Sequence, residues 1–148
     1  MSYNINDVAK AMKDNVGGNP EKVTHFVRVY TLAKSIGELE GLPENLQRPL
    51  ELSAVVHSVE AQDKTAAVKE MLLSCHVDDE TAMRVCYIVE HNDDFGHISG
   101  LDHQILIEAE SIVYFKEKNT PKSEIVRIAE KRFITNYGKA FLKKAFGV

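Results

Sequence analysis

Three imidazoles and one carboxylate, His25, His57, His91 and Glu110, lie in or beside apolar helical stretches of this chain. Imidazole nitrogen with carboxylate oxygen suits a divalent transition metal such as manganese, iron, cobalt, nickel or zinc, with positions left open for water. A single histidine of this kind is more often a hydrogen-bonded core or edge residue. Four such residues on four separate inward-facing helices form the pattern by which helix bundles build metal sites. The remaining histidines read otherwise. His76 follows Cys75 at a helix end, where it can meet the last carbonyls. His97 and His103 flank a polar loop and read as exposed.

The elements that must position these residues are all helical. Residues 4–14 form a short helix with Val8 and Met12 on its apolar side, and Gly17-Gly18-Asn19-Pro20 breaks it. From 21 to about 40, Val23, Phe26, Val27, Tyr30, Ala33, Ile36 and Leu39 recur at spacings of three and four, which places His25 at the edge of a buried stripe. Gly41 stops that helix, and Pro43 opens the next at its first turn.

The third helix, about 43–59, is apolar almost all round over Leu50–Val56, as a central helix of a bundle should be. It carries His57 and Ser58 inward. A fourth helix covers about 63–74. Asp78, Asp79 and Glu80 start a fifth, which carries Met83, Val85, Cys86, Ile88 and Val89 to His91. After the polar loop 92–100, a helix over 101–116 bears Glu108 and Glu110. Thr120-Pro121 opens a last helix to about 136, with a bend at Gly138 before a terminal segment. No alternating strand pattern, repeat or low-complexity tract interrupts this all-α reading.

The chain of 148 residues is long enough for one domain with a real core. Its 44% apolar and 27% charged residues are ordinary globular composition. Cys75 and Cys86 lack metal or redox spacing and read as small buried hydrophobes of a reducing compartment. The first residues have no signal-peptide pattern and no apolar run reaches a membrane span, so a cytoplasmic protein is expected. The net charge of −4 is uneven. Residues 116–148 carry nine basic and three acidic side chains, against nine and nineteen over 1–115. A basic tail can meet a phosphorylated ligand. Its aromatics, Phe133, Tyr137, Phe141 and Phe146, recur at helical spacing, which packing explains better than base stacking, so nucleic acid is not the expected partner.

Over about residues 20–115 the chain resembles the HD-domain superfamily of metal-dependent phosphohydrolases. Thr24-His25-Phe26-Val27-Arg28 is similar to the family's opening histidine followed three residues later by arginine. Leu52-Ser53-Ala54-Val55-Val56-His57 is similar to the apolar run into the histidine–aspartate pair. Ile105 to Ile112, with Ala109-Glu110, looks like the later helix that carries an alanine–aspartate ligand. The resemblance implies a single HD-like helical bundle of six to seven helices with a basic extension over 117–148. It implies metal ligands at His25, His57, His91 and Glu110, and ligand-binding positions at Arg28, Ser58 and Glu60.

The departures shape the expected function. Ser58 stands where the family has the aspartate of its pair, and Glu110 where it has the final aspartate. Glu60 and Ala61 stand where many relatives have glycine and lysine. Loss of the aspartate removes one negative charge from a low-dielectric site, where charge counts most. Glu110 with its extra methylene, Glu60 or Asp63 could supply it instead. The resemblance therefore implies a degenerate member, a binding or regulatory module for a phosphorylated or nucleotide-like ligand with weakened metal binding. The alternatives are an active hydrolase of a nucleotide or phosphoester with one ion, and a scaffold that meets a protein partner. The sequence assigns no catalytic residue and no oligomeric state.

Overall fold

A computed structural model describes residues 3–92 and 94–148. Met1, Ser2 and Asp93, which entered the readings of the N-terminus and the polar loop, lie outside the described residues. The described chain contains eight α-helices and one short 3-10 turn, Phe95–His97, and no strand. The helices are α1 (Ile5–Asn15), α2 (Pro20–Leu39), α3 (Glu44–Val56), α4 (Lys64–Ser74), α5 (Asp79–Glu90), α6 (Gly100–Glu117), α7 (Lys122–Arg132) and α8 (Asn136–Phe146). None is long and apolar enough to cross a membrane.

Short polar side chains set the starts. The Asn19 carboxamide oxygen accepts from the backbone N–H groups of Glu21 and Lys22, and Pro20 occupies the first turn of α2. Asp63 caps α4 through Ala66 N–H, and Asp78 caps α5 through the N–H and hydroxyl of Thr81. Those bonds to the carboxylate hold Asp78 below the usual carboxylate range. At the other end of α4, exposed His76 takes the left-handed conformation that terminates the helix, at φ 67°.

Two helices form the centre. Opposite faces of α3 enter two parts of the core: Leu52, Val55 and Val56 meet Met12, Phe26, Val68, Leu72 and Val85, while Leu50 and Ala54 meet Val29, Ile36, Ile88, Ile105 and Leu106. Apart from Ala54, each such buried side chain contributes about 1.5–3 kcal/mol over its exposed state. α2 lies closely against α3 at Gly37. There a Cβ would stand 2.8 Å from Leu50 Cδ2 and overlap the Gln47 carboxamide, so only hydrogen fits. α6 is the second central helix. Along with its apolar residues it buries Asp102, His103, Gln104, Glu108 and Ser111.

The C-terminal extension is part of the same body. Ile112 and Phe115 of α6 pack against Ile125, Phe133 and Leu142. The chain turns at 133–135, three residues before the bend expected at Gly138, and so makes one helix more than the sequence suggested. Glu108 explains the position of the turn. Its fully buried carboxylate accepts from Ile134 N–H (2.9 Å), Thr135 N–H (3.1 Å), the Thr135 hydroxyl (2.5 Å) and the Gln104 carboxamide (2.7 Å). The Glu40 carboxylate adds a bond from Tyr137 N–H at 2.8 Å. Two carboxylates thus meet the positive N-terminus of α8.

Other expectations shift in detail. Cys86 is buried but Cys75 only partly so. Val27, Leu39 and Met83, read as apolar helix positions, are exposed. A bidentate pair between Arg84 and fully buried Asp102, at 2.9 and 2.6 Å, ties α5 to the start of α6.

Candidate metal centre and ligand cavity

The second turn of α2, the C-terminus of α3 and the middle of α6 bring His25, His57 and Glu110 into one row. His57 is buried at the end of α3, where its ring bends back on the helix: Nδ1 lies 2.8 Å from the Ala54 carbonyl oxygen. A carbonyl oxygen only accepts, so Nδ1 carries the hydrogen and Nε2 presents a lone pair to the site. His25 is held in the same sense by a different partner. Its Nδ1 lies 3.0 and 3.1 Å from the two carboxylate oxygens of Glu117, the last residue of α6. Carboxylate–histidine contacts of this type fix the tautomer of metal-binding imidazoles and raise their basicity.

The two free nitrogens then face each other, with His25 Nε2 at 3.4 Å from His57 Nε2. Two nitrogens bound tetrahedrally to one ion at about 2.0–2.1 Å stand about 3.4 Å apart. Glu110 Oε2 lies 4.0 Å from His57 Nε2 and accepts from the Asn92 carboxamide at 3.2 Å. Among the described residues the other Glu110 oxygen is buried without a hydrogen-bond partner, as is Asn92 Oδ1. Buried acceptors without donors beside two facing imidazole nitrogens suit a cation. As placed, the ligand atoms of His25, His57 and Glu110 do not all lie within 4.8 Å of one another, so Glu110 would have to move inward to join the two histidines on one ion.

His25 opens onto a cavity of about 700 Å³. Lys22, Arg28 and Lys118 bring three positive charges to its wall, and Glu21, Glu60 and Glu117 bring three negative ones, beside Ser58. Glu110 lines a second, smaller hollow of about 340 Å³, shared with Asn92 and Arg132. The row His25–His57–Glu110 therefore runs from the wall of one cavity to that of the other.

Both alternative sources of the missing charge at position 58 are engaged by other partners. Glu60 forms an ion pair with Lys22, and its backbone is bound on both sides by the Asn15 carboxamide at 2.8 and 3.0 Å. Asp63 is committed to capping α4. The carboxylate that does arrive is Glu117, behind His25. Sequence reasoning missed Glu117, Asn92, Lys22 and Lys118. One signal for Glu117 was present: it follows Glu110 by seven residues, two turns of α6, and so shares its face.

Among the described residues the ligand atoms of His91 gather with those of Asp94 and His97, not with His25, His57 and Glu110. His91 caps the end of α5, its ring 4.4 Å from that of Tyr87 and stacked at 5.3 Å on that of His97. His103, read from sequence as an exposed loop residue, is fully buried on α6, edge-on to Tyr87. Burial, followed by the charge of Arg84, lowers its pKa.

No protein-family model matches the chain, and no curated protein or solved structure is significantly similar to it.

Proposed function

We propose that this chain is an HD-like domain that takes one divalent transition-metal ion weakly and binds a phosphorylated small molecule or nucleotide in the adjoining cavity. The observation that carries this reading is the 3.4 Å approach of His25 Nε2 and His57 Nε2, each ring with its Nδ1 already occupied by an oxygen. His25 and His57 would hold the ion with Glu110 as third ligand. Lys22, Arg28 and Lys118 would meet phosphoryl oxygens, with the planar guanidinium of Arg28 suited to two of them at once. A bound ion would lower the pKa of its water and neutralise phosphoryl charge.

Ser58 favours binding over turnover, because a neutral hydroxyl supplies no charge beside the ion. The second reading, a one-ion phosphohydrolase, draws support from Glu117, which orients and strengthens His25 as a ligand.

Thermal-shift titration tests the cavity. Pyrophosphate and a panel of nucleoside mono- and diphosphates, with manganese present, should include a ligand that raises Tm for the native chain. Arg28→Ala should lose at least tenfold in affinity for it. A panel that leaves Tm unchanged, or binding indifferent to Arg28→Ala, contradicts the assignment. Phosphate release from the same compounds, dependent on manganese and lost in His57→Ala, would favour the hydrolase reading.

A further inference from the structure

His91, Asp94 and His97 lie within one seven-residue stretch where α5 ends and the 3-10 turn begins. Each offers a ligand atom, and these atoms all lie within 4.8 Å of one another. None of the three belongs to the row His25–His57–Glu110.

The local chain explains the gathering. Asp94 Oδ1 accepts from Gly96 N–H at 3.2 Å and so closes the 3-10 turn. Its second oxygen, Oδ2, lies 2.5 Å from His97 Nδ1. His97 Nδ1 and Asp94 Oδ2 thus already face one point, and an ion there would take the place of the hydrogen between them. The His91 and His97 rings are nearly parallel, 26° apart, and on the same side of the turn. His91 Nε2 also lies 3.6 Å from Glu90 Oε2. The carbonyl end of α5 and the carboxylates of Glu90 and Asp94 make this corner negative. Because the ligands are close in sequence, ordering them around an ion closes only a short loop.

We infer that His91, Asp94 and His97 form a second transition-metal site, separate from the His25–His57 pair. Two imidazoles and one carboxylate favour zinc, nickel, cobalt or copper over magnesium or calcium, which prefer all-oxygen shells. Water or Glu90 completes the coordination. The ion pins the loop after α5 beside Asn92, which bonds Glu110, so it also steadies the wall of the smaller hollow.

Zinc titration by calorimetry on tag-free full chain tests this, in a His25→Ala/His57→Ala background so that the two sites are read apart. Circular dichroism confirms that each variant keeps its helices. The background variant should bind one equivalent of zinc and lose it when His91→Ala and His97→Ala are added. No zinc bound in the background, or binding that survives the added changes, overturns the inference. The His91→Ala/His97→Ala variant, with His25 and His57 intact, reports on the first site alone. Cobalt in place of zinc should give the visible absorption of a nitrogen- and oxygen-ligated ion in the same variants.

Discussion

His25 Nε2 and His57 Nε2 face each other at 3.4 Å, and Glu117 and the Ala54 carbonyl each engage the Nδ1 of one ring, so in the neutral rings both Nε2 atoms carry lone pairs. Two lone pairs at that separation repel unless one proton or one metal ion joins them. The pair therefore couples metal affinity to Glu117, a residue that need not touch the ion. Glu117→Gln should reduce manganese or nickel affinity by about 10- to 100-fold, the usual cost of losing a partner behind a ligand. Helix content should stay unchanged. Affinity equal to that of the native chain would remove Glu117 from the site.

Position 58 should be the most responsive to added charge. Ser58 is half-buried beside His57 and faces the same cavity as His25. Ser58→Asp should raise divalent-metal affinity by at least tenfold, about 1.4 kcal/mol. Calorimetry reads this directly. A Ser58→Asp chain with unchanged affinity would show that the histidines and Glu110 are not arranged around a common ion.

Glu108 should matter for stability rather than for ligands. It is fully buried and accepts two backbone N–H groups and the Thr135 hydroxyl at the start of α8. Glu108→Ala leaves those donors buried without a partner and should cost about 3 kcal/mol. Gly138→Ala should destabilise as well, because its Cβ would overlap the Glu108 carboxylate and stand 2.6 Å from Thr135 Oγ1. Urea denaturation measures both. A loss below about 0.5 kcal/mol in both variants would mean that the extension docks without this anchor.

The acid limb of stability should depend on Asp78. Its folded pKa lies below the unfolded value near 3.8, chiefly through the Thr81 N–H and hydroxyl. The unfolded chain therefore binds the proton first. The stabilisation is present above the unfolded pKa and is lost as pH falls through the folded one. Asp78→Asn keeps a capping side chain and removes the titration. The variant should lose less stability than the native chain between pH 5 and pH 2, about 1 kcal/mol less at most for so exposed a cap. Parallel curves for the two proteins would contradict the assignment.

His25, His57 and Glu110 were legible because apolar positions at helical spacing show which way each helix faces, and side chains at the edge of a buried stripe can meet across a bundle. Contacts decided by distant chain segments were not. Glu117 looked like the start of the basic tail, and only the approach of α2 to the end of α6 makes it the partner of His25. His103 looked exposed because the loop before it is polar, yet α5 and the Arg84–Asp102 pair draw that turn of α6 inward. The turn at 133–135 was hidden in a helical run of aromatics. The buried carboxylate that draws it there comes from a residue 26 positions earlier.

The most direct test of the account is the metal content of tag-free protein after loading with manganese or nickel and removal of free ion, measured by elemental analysis beside His57→Ala and His25→Ala. His25→Ala, at a half-exposed position, guards against an effect of misfolding. Each variant should hold one equivalent less metal than the native chain. Equal metal in all three proteins, or none in the native chain under excess ion, would contradict a metal centre at the His25–His57 pair.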